Sequence, residues 1–164
     1  MGEKALQYAR RFMEVHASVM EAVERCSDPQ WSSICPDENE SVGAVANHIA
    51  AAYRLELDLL ISSLSGLPAP TIYVAEGALD QYHARASISF SRYTREQTLR
   101  HLHDNAEQVN RFLCDLEDAS LDHPIDAPMI VKWFGQSFTL EAAVEYLIIS
   151  HPMGHLNSIQ KACE

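Results

Sequence analysis

The sequence predicts an all-α protein, and more specifically a four-helix bundle. In four separate segments, apolar residues recur at alternating steps of three and four, which is the spacing of one face of a helix. Each segment is too short to be stable alone, so the four faces are most simply buried against one another. The chain has 164 residues and no internal repeat, which predicts a single domain over residues 1–164.

The first two segments are joined by a short loop. Segment one runs from roughly Glu3 to Cys26 and ends before Pro29. Its predicted inward face is Leu6, Ala9, Met13, His16, Met20 and Val23. Residues 31–40 are predicted to be a loop. Segment two begins at Ser41, a typical N-cap, and runs to about Ser63. Its predicted inward face is Val45, His48, Ala52, Leu55 and Leu59.

Segments three and four also carry clear start signals. Segment three opens with Thr94-Arg95-Glu96-Gln97, a capping box, and ends near Asp118. Its predicted face is Leu99, Leu102, Ala106, Val109, Leu113 and Leu116. Segment four begins around Thr139, with Glu141 in the first turn, where a negative charge complements the helix dipole. Its predicted face is Leu140, Val144, Leu147, His151 and His155.

The two later connections are longer than the first. About thirty residues separate helices two and three, enough for a crossover along the length of the bundle, and Tyr73 to Ser87 could form a short helix within them. Before helix four, the β-prone residues from Ile130 to Phe138 surround Gly135. This run predicts a small hairpin or an extended flap.

Composition excludes several classes of partner. The net charge is −11, and the twelve Lys and Arg residues are scattered, which argues against nucleic acids and anionic membranes. The longest apolar run, Leu55 to Ile61, contains Glu56 and Asp58, so we expect no membrane span. We expect a cytoplasmic protein, because the first residues lack the apolar core of a signal peptide. Accordingly, the four cysteines are expected to be reduced thiols.

Three histidines suggest a metal site. His151 and His155 lie one turn apart on one helical face, so their imidazoles can converge on one ion. His48 lies on the inward face of helix two and could meet them in the bundle. Pro152, Met153 and Gly154 separate the pair, and the glutamate of a metalloprotease motif is missing. Spacing alone leaves open the alternative of surface histidines or hydrogen-bonded core histidines.

The remaining polar candidates have weaker support. His16 faces inward and is interpreted as a hydrogen-bonded core histidine, with an approach to the metal site as the alternative. His101 and His103 are expected to be solvated, and His83 and His123 to lie in loops. Partners for the ligand imidazoles could be Glu56, Asn47 or Asn157. Glu56 is also a weak candidate for a catalytic base, against the simpler alternative of a solvated helical glutamate.

The chain resembles the DinB/YfiT-like superfamily over nearly its whole length. The matching pieces are Val45-Ala46-Asn47-His48-Ile49 early in helix two, the long crossover, and a Thr-Leu-Glu start to helix four. The last piece is His151-Pro152-Met153-Gly154-His155-Leu156-Asn157-Ser158-Ile159. Members of this superfamily hold a divalent metal at these three histidine positions. The resemblance therefore implies His48, His151 and His155 as ligands. Three neutral imidazoles favour zinc first, with nickel or another first-row ion as alternatives.

The chain departs from the family pattern at two positions. Many members have Gln where this chain has Ser158. Pro152 follows the first histidine of the pair, and inside a helix it removes one backbone hydrogen bond and pushes on the carbonyl of Ile148. Gly154 loosens the same turn. A kink there would change the angle between the two imidazoles, or it would fix a bend that the site needs.

The resemblance implies a metal-dependent enzyme, since characterised relatives include thiol S-transferases and isomerases that use low-molecular-weight thiols. We therefore expect a small-molecule substrate, transfer of a small thiol to an electrophile, and a homodimer by analogy. Two alternatives stay open. One is a metal-dependent hydrolase, and the other is a non-catalytic metal-binding or stress-response bundle that acts as a scaffold.

Overall fold

Four helical rods form the frame of the molecule. The structure is a computed structural model that describes residues 2–90, 92–135 and 138–164. Its α-helices are α1 (Glu3–Arg25), α2 (Asp28–Trp31), α3 (Val42–Leu64), α4 (Ala78–Phe90), α5 (Arg95–Asp115), α6 (Pro128–Phe134), α7 (Leu140–Ala143) and α8 (His151–Cys163). A π-helical segment, Val144–Ser150, joins α7 to α8. We call α7, the π segment and α8 together the C-terminal rod. Short 3-10 turns cover Thr71–Tyr73 and Asp118–Asp122.

The rods pack in a closed ring, in which α1 and α3 each contact both α5 and the C-terminal rod. Near the starts of α3 and α5, Asn47 Nδ2 donates to Thr98 Oγ1 over 2.7 Å. Further along both helices, Arg54 donates to Gln108 over 2.7 Å. Because contacts advance together along both helices, α3 and α5 run in the same direction. The connection that holds α4 therefore returns from the end of α3 to its beginning.

Hydrogen bonds to the predicted N-cap residues confirm the predicted starts of three helices. Thr94 and Gln97 form a reciprocal capping box at the start of α5. The side chains of Ser41 and Thr139 accept hydrogen bonds at the starts of α3 and α7. Each cap satisfies backbone N–H groups that the first helical turn leaves without partners. An all-α bundle is thus what the sequence forms.

Two predicted connections differ in the structure. Residues 34–41, most of which were predicted to lie in a loop, form a two-stranded hairpin of β1 (Ile34–Cys35) and β2 (Glu40–Ser41), which turns through Asn39 at a φ of 56°. Asparagine tolerates this left-handed conformation. The small hairpin or extended flap predicted from Ile130 to Phe138 is wrong at residues 130–134, which lie in α6. Pro128 starts this helix and Gly135 ends it at a φ of 91°. Gln136 and Ser137 of the predicted flap lie outside the described residues.

The interior is apolar and continuous along the four rods. On α1, the buried face is Ala5, Tyr8, Ala9, Phe12, His16, Val19 and Val23. Met13, which was predicted to face inward, is 37% exposed. The cause is that Tyr8 and Phe12 offer larger apolar surfaces to bury than the neighbouring residues do.

Within the described residues, no helix has the length and apolarity needed to cross a membrane.

Candidate metal site

Three imidazoles from two rods meet in one place. His48 lies in the second turn of α3, and His151 and His155 lie in the first two turns of α8. The Nε2 atom of His151 is 3.3 Å from Nε2 of His48 and 2.8 Å from Nε2 of His155. One nitrogen from each residue lies within 4.8 Å of the other two. The structure therefore brings together the three histidines that the sequence singled out, while their role as ligands stays a prediction.

Two carboxylates hold the other ring nitrogens. His151 Nδ1 lies 2.6 Å from Oε1 of Glu56, and His155 Nδ1 lies 2.7 Å from Oε1 of Glu38. A carboxylate accepts, so each Nδ1 carries a proton, and in its neutral form each ring keeps an Nε2 lone pair for an ion at the common centre. Carboxylate–histidine pairs of this kind orient and strengthen imidazole ligands in metalloproteins.

The separations fit a first-row metal ion. Two nitrogen ligands at 2.0–2.1 Å from zinc and at a tetrahedral angle lie about 3.3 Å apart. The His48–His151 distance already has this value, and the His151–His155 pair would open by about half an ångström. Three neutral imidazoles are a donor set that zinc, nickel and copper favour over calcium and magnesium. The residues present therefore fit a divalent first-row ion.

Burial sets the protonation of the first histidine. Burial lowers the pKa of His48 to about 3, and the charges of His155 and His151 act in the same direction. His48 is therefore neutral at pH 7, and its ring nitrogen is available without the loss of a proton. A metal ligand must be deprotonated, so this environment favours binding over protonation.

Burial and mutual attraction act in opposite directions on the pKa values of His151 and Glu56, which form a buried pair. Burial raises the pKa of Glu56, which is 2% exposed, and the hydrogen bond from His151 partly offsets this effect. Burial acts to lower the pKa of His151, but the bond and charge of Glu56 outweigh it and raise that pKa. The second oxygen of Glu56, Oε2, is buried and has no hydrogen-bond partner among the described residues. The Glu56 carboxylate therefore depends on the imidazole for its stabilisation.

A wide helical turn precedes the two histidines of α8. The backbone N–H of His151 bonds to the carbonyl of Tyr146, five residues earlier, and the π segment ends at Ser150. Pro152 occupies the first turn of α8 and is buried. A π-helical segment thus adjoins Pro152 within a continuous rod, and the effect of Pro152 on the angle between the two imidazoles stays a prediction. Such segments recur at functional sites because they rotate the side chains that follow.

A pocket of about 240 Å³ opens beside the histidines. His48, His155 and His83 line it together with Glu38 and Glu40, while its apolar wall consists of Ala44, Val45, Ala86 and Phe90. His83 was expected in a loop, but it lies on α4, and its ring centroid is 5.4 Å from that of His48. The short helix predicted from the sequence thus covers one side of the site.

The other candidates lie away from the three histidines. His16 is buried as predicted, against Phe12 and Tyr53, but its Nδ1 has no hydrogen-bond partner among the described residues. Asn47 bonds to Gly43, Phe90 and Thr98, and Asn157 is exposed. His101 and His103 are exposed, and His123 contacts the Ser63 carbonyl. Of the proposed imidazole partners, only Glu56 contacts a site histidine. Its role as a base stays a prediction.

Sequence reasoning missed Glu38. It lies in the hairpin turn, where its backbone N–H bonds to the Cys35 carbonyl, and no periodic pattern marks that segment. A usable signal was the need for a second acceptor, since each metal-bound imidazole usually donates its other N–H to one. The segment between α2 and α3 holds three acidic residues, Asp37, Glu38 and Glu40, as candidates for that acceptor.

Comparison with known proteins gives one match. A family model described as the DinB superfamily matches residues 11–159, which is most of the chain and includes all three histidines. Neither the curated proteins nor the solved structures contain a match.

Proposed function

The chain belongs to the DinB superfamily, and on that premise we propose that it is a metal-dependent enzyme with an open three-histidine site. We propose zinc as the first choice of ion, with nickel or another first-row ion as alternatives, and His48, His151 and His155 as its ligands. The favoured reaction is the transfer of a small thiol to an electrophile.

One observation carries this proposal. The three Nε2 atoms converge, two of their rings are fixed by carboxylates, and two of the three histidines line an accessible pocket. Three protein ligands leave a coordination position for a substrate, whereas structural zinc sites usually close with a fourth protein ligand. A pocket wall beside the ligands supports a catalytic site over a structural one.

The residues have distinct parts in the proposed reaction. A divalent ion held there would lower the pKa of a thiol bound to it. Glu56 and Glu38 keep the rings of His151 and His155 in the tautomer that offers Nε2. The apolar wall of Ala44, Val45, Ala86 and Phe90 would contact the second substrate and displace water from it. The thiol sulfur then bonds to the electrophilic carbon, the leaving group departs with its electron pair, and the thiol proton passes to solvent.

Metal content tests the ligand set. Protein purified without a metal-affinity tag should contain about one equivalent of a first-row metal by elemental analysis. His151→Ala should lose most of it, and His101→Ala, which changes an exposed histidine on α5, should retain it. Equal metal in the parent and His151→Ala would refute the ligand assignment.

Thiol consumption tests the reaction. The metal-loaded protein is incubated with each of several cellular thiols and an alkyl halide, and the loss of free thiol is measured. We expect consumption above background with at least one thiol, and none above background with His151→Ala. Metal binding without consumption of any thiol would favour the non-catalytic bundle. Hydrolysis of an ester or amide by the same protein would favour the metal-dependent hydrolase.

A further inference from the structure

The pocket beside the histidines has a strongly one-sided charge. Two of its lining residues, Glu38 and Glu40, are acidic, and none of the residues described as lining it is Lys or Arg. Glu38 is paired with His155, and the neighbouring Asp37 is paired with Lys161 at 2.6 Å. Glu40, on β2, has no cationic partner among the ion pairs of the described residues. Glu40 therefore places an uncompensated negative charge at the wall of the pocket.

The charges of a loaded site reinforce this bias. A divalent cation with three neutral imidazoles adds two positive charges, and the Glu56 and Glu38 carboxylates balance them. Glu40 then leaves the site with an excess negative charge. A thiol that binds as thiolate adds another. A ligand that also carries a carboxylate or phosphate meets repulsion, and the described lining residues include no arginine or lysine to relieve it.

We infer that this site takes thiols and electrophiles that are neutral or positively charged, and that Glu40 selects against ligands with further negative charge. This inference rests on the proposed function, because it concerns the ligands of the same metal site. It excludes substrates whose recognition depends on a carboxylate or phosphate held in this pocket.

The pocket size sets the expected magnitude. A sphere of about 240 Å³ has a diameter of about 8 Å, so a charged group in the pocket lies within roughly that distance of Glu40. At about 8 Å, Coulomb's law predicts that one unit charge changes the dissociation constant of a charged ligand roughly twofold at the dielectric constant of water. The change is roughly thirtyfold at an effective dielectric constant near 20. Removal of the Glu40 charge should change relative affinities within this range.

Three thiols of nearly equal size provide the test. Cysteamine, 2-mercaptoethanol and 3-mercaptopropionate differ at one end only, which is positive, neutral or negative near pH 7. Each is titrated into the cobalt(II)-loaded protein, and its dissociation constant is read from the absorption band that appears when a thiolate sulfur binds cobalt(II). The same titrations are made with Glu40→Gln, with Glu40→Lys and with a control, Glu117→Gln. Glu117 is exposed and follows the end of α5, away from the site.

The ratio of dissociation constants between two thiols is the decisive quantity, because the intrinsic acidity of each thiol is the same with every variant. We expect the dissociation constant of mercaptopropionate, divided by that of mercaptoethanol, to fall at least roughly twofold in Glu40→Gln and further in Glu40→Lys. The dissociation constant of cysteamine, divided by that of mercaptoethanol, should rise in both Glu40 variants. Both ratios should be the same in the Glu117→Gln control as in the parent. Unchanged ratios in the Glu40 variants would overturn the inference.

Two further readouts separate the inference from its premise. If no thiol produces the band on cobalt-loaded protein, the proposed thiol chemistry fails; if all three bind without a charge preference that depends on Glu40, only the inference fails. Should the Glu40 variants not fold, the ionic-strength dependence of the parent decides. The relative affinity for mercaptopropionate should then rise with added salt, because salt screens the repulsion. A ratio that does not change with salt would overturn the inference.

Discussion

Glu56→Gln removes a buried negative charge beside the proposed metal site and keeps the shape of the side chain. Oε1 of Glu56 accepts the Nδ1 proton of His151 over 2.6 Å, and its side chain is only 3% exposed. An amide oxygen can still accept this proton, but it lacks the charge that makes the imidazole a stronger donor to a cation. We expect the variant to fold and to bind metal more weakly than the parent.

The size of the loss follows from the contact. A hydrogen bond to a charged group contributes about 1.5–3 kcal/mol, compared with about 1 kcal/mol for a neutral one. Loss of an outer carboxylate typically weakens metal binding roughly 10-fold to 100-fold. Glu38→Gln should cost less, because the Glu38 side chain is 20% exposed and water can replace part of its charge stabilisation. The expected order of loss is Glu56→Gln, then Glu38→Gln, then the control Glu117→Gln with no change.

Competition with a chromogenic chelator measures these affinities. The apoprotein and the chelator share a limiting amount of zinc, and the dissociation constant follows from the chelator absorbance. Unfolding curves recorded on the same samples show whether each variant is folded. If Glu56→Gln binds zinc as tightly as the parent, the carboxylate does not tune the imidazole. A larger loss in Glu38→Gln than in Glu56→Gln would contradict the argument from burial.

Three further predictions concern stability in the metal-free protein and are measured by urea unfolding. Burial lowers the pKa of His16 from 6.5 to about 4, so below pH 6.5 the unfolded chain takes up a proton that the folded chain does not. Stability should therefore fall by about 2 kcal/mol more in the parent than in His16→Leu between pH 7 and pH 5, and equal losses would contradict this origin. Thr94→Ala should cost about 1 kcal/mol through loss of the capping box, and no loss would show that the cap is dispensable. Gly43→Ala should destabilise by about 1–3 kcal/mol, because the new Cβ would lie 2.7 Å from the Trp31 ring. Gly154→Ala, with nothing within 4 Å, should instead stabilise its helix by up to about 1 kcal/mol, and an equal effect of both substitutions would refute the packing argument.

Most of the frame could be predicted because the signals are local. The Thr94 capping box and the Ser41 cap are decided by residues three positions apart, so the sequence indicates both starts correctly. The face of α5 is also correct from Leu102 to Leu113, since that helix alternates cleanly between apolar and charged residues. On α1, Leu6, Met13 and Met20 continue the apolar spacing at one edge of the buried face, so the periodic pattern chose a face that is offset towards Met13.

The parts that could not be predicted depend on distant contacts. Residues 130–134 have β-prone side chains, but Ile130 is fully buried in the tertiary core and the segment is helical. Packing thus outweighs a propensity worth a fraction of a kcal/mol per residue. Glu38 reaches His155 only because the hairpin between α2 and α3 folds against α8, across 117 positions of the chain. No local pattern contains that information.

The π segment lies directly before Pro152 and the two histidines of α8, so it affects both the backbone at the proline and the positions of the imidazoles. A regular α-helix would bond the N–H of residue 152 to the Ile148 carbonyl, but proline has no N–H and its ring presses on that carbonyl. The wider turn before α8 relieves this conflict and adds a residue to the turn, which shifts the following side chains by about 100° around the axis. Leu147 is consequently only partly buried, Ile148 and Ile149 are buried, and His151 faces Glu56. The turn that accommodates Pro152 is thus the turn that directly precedes the histidine pair.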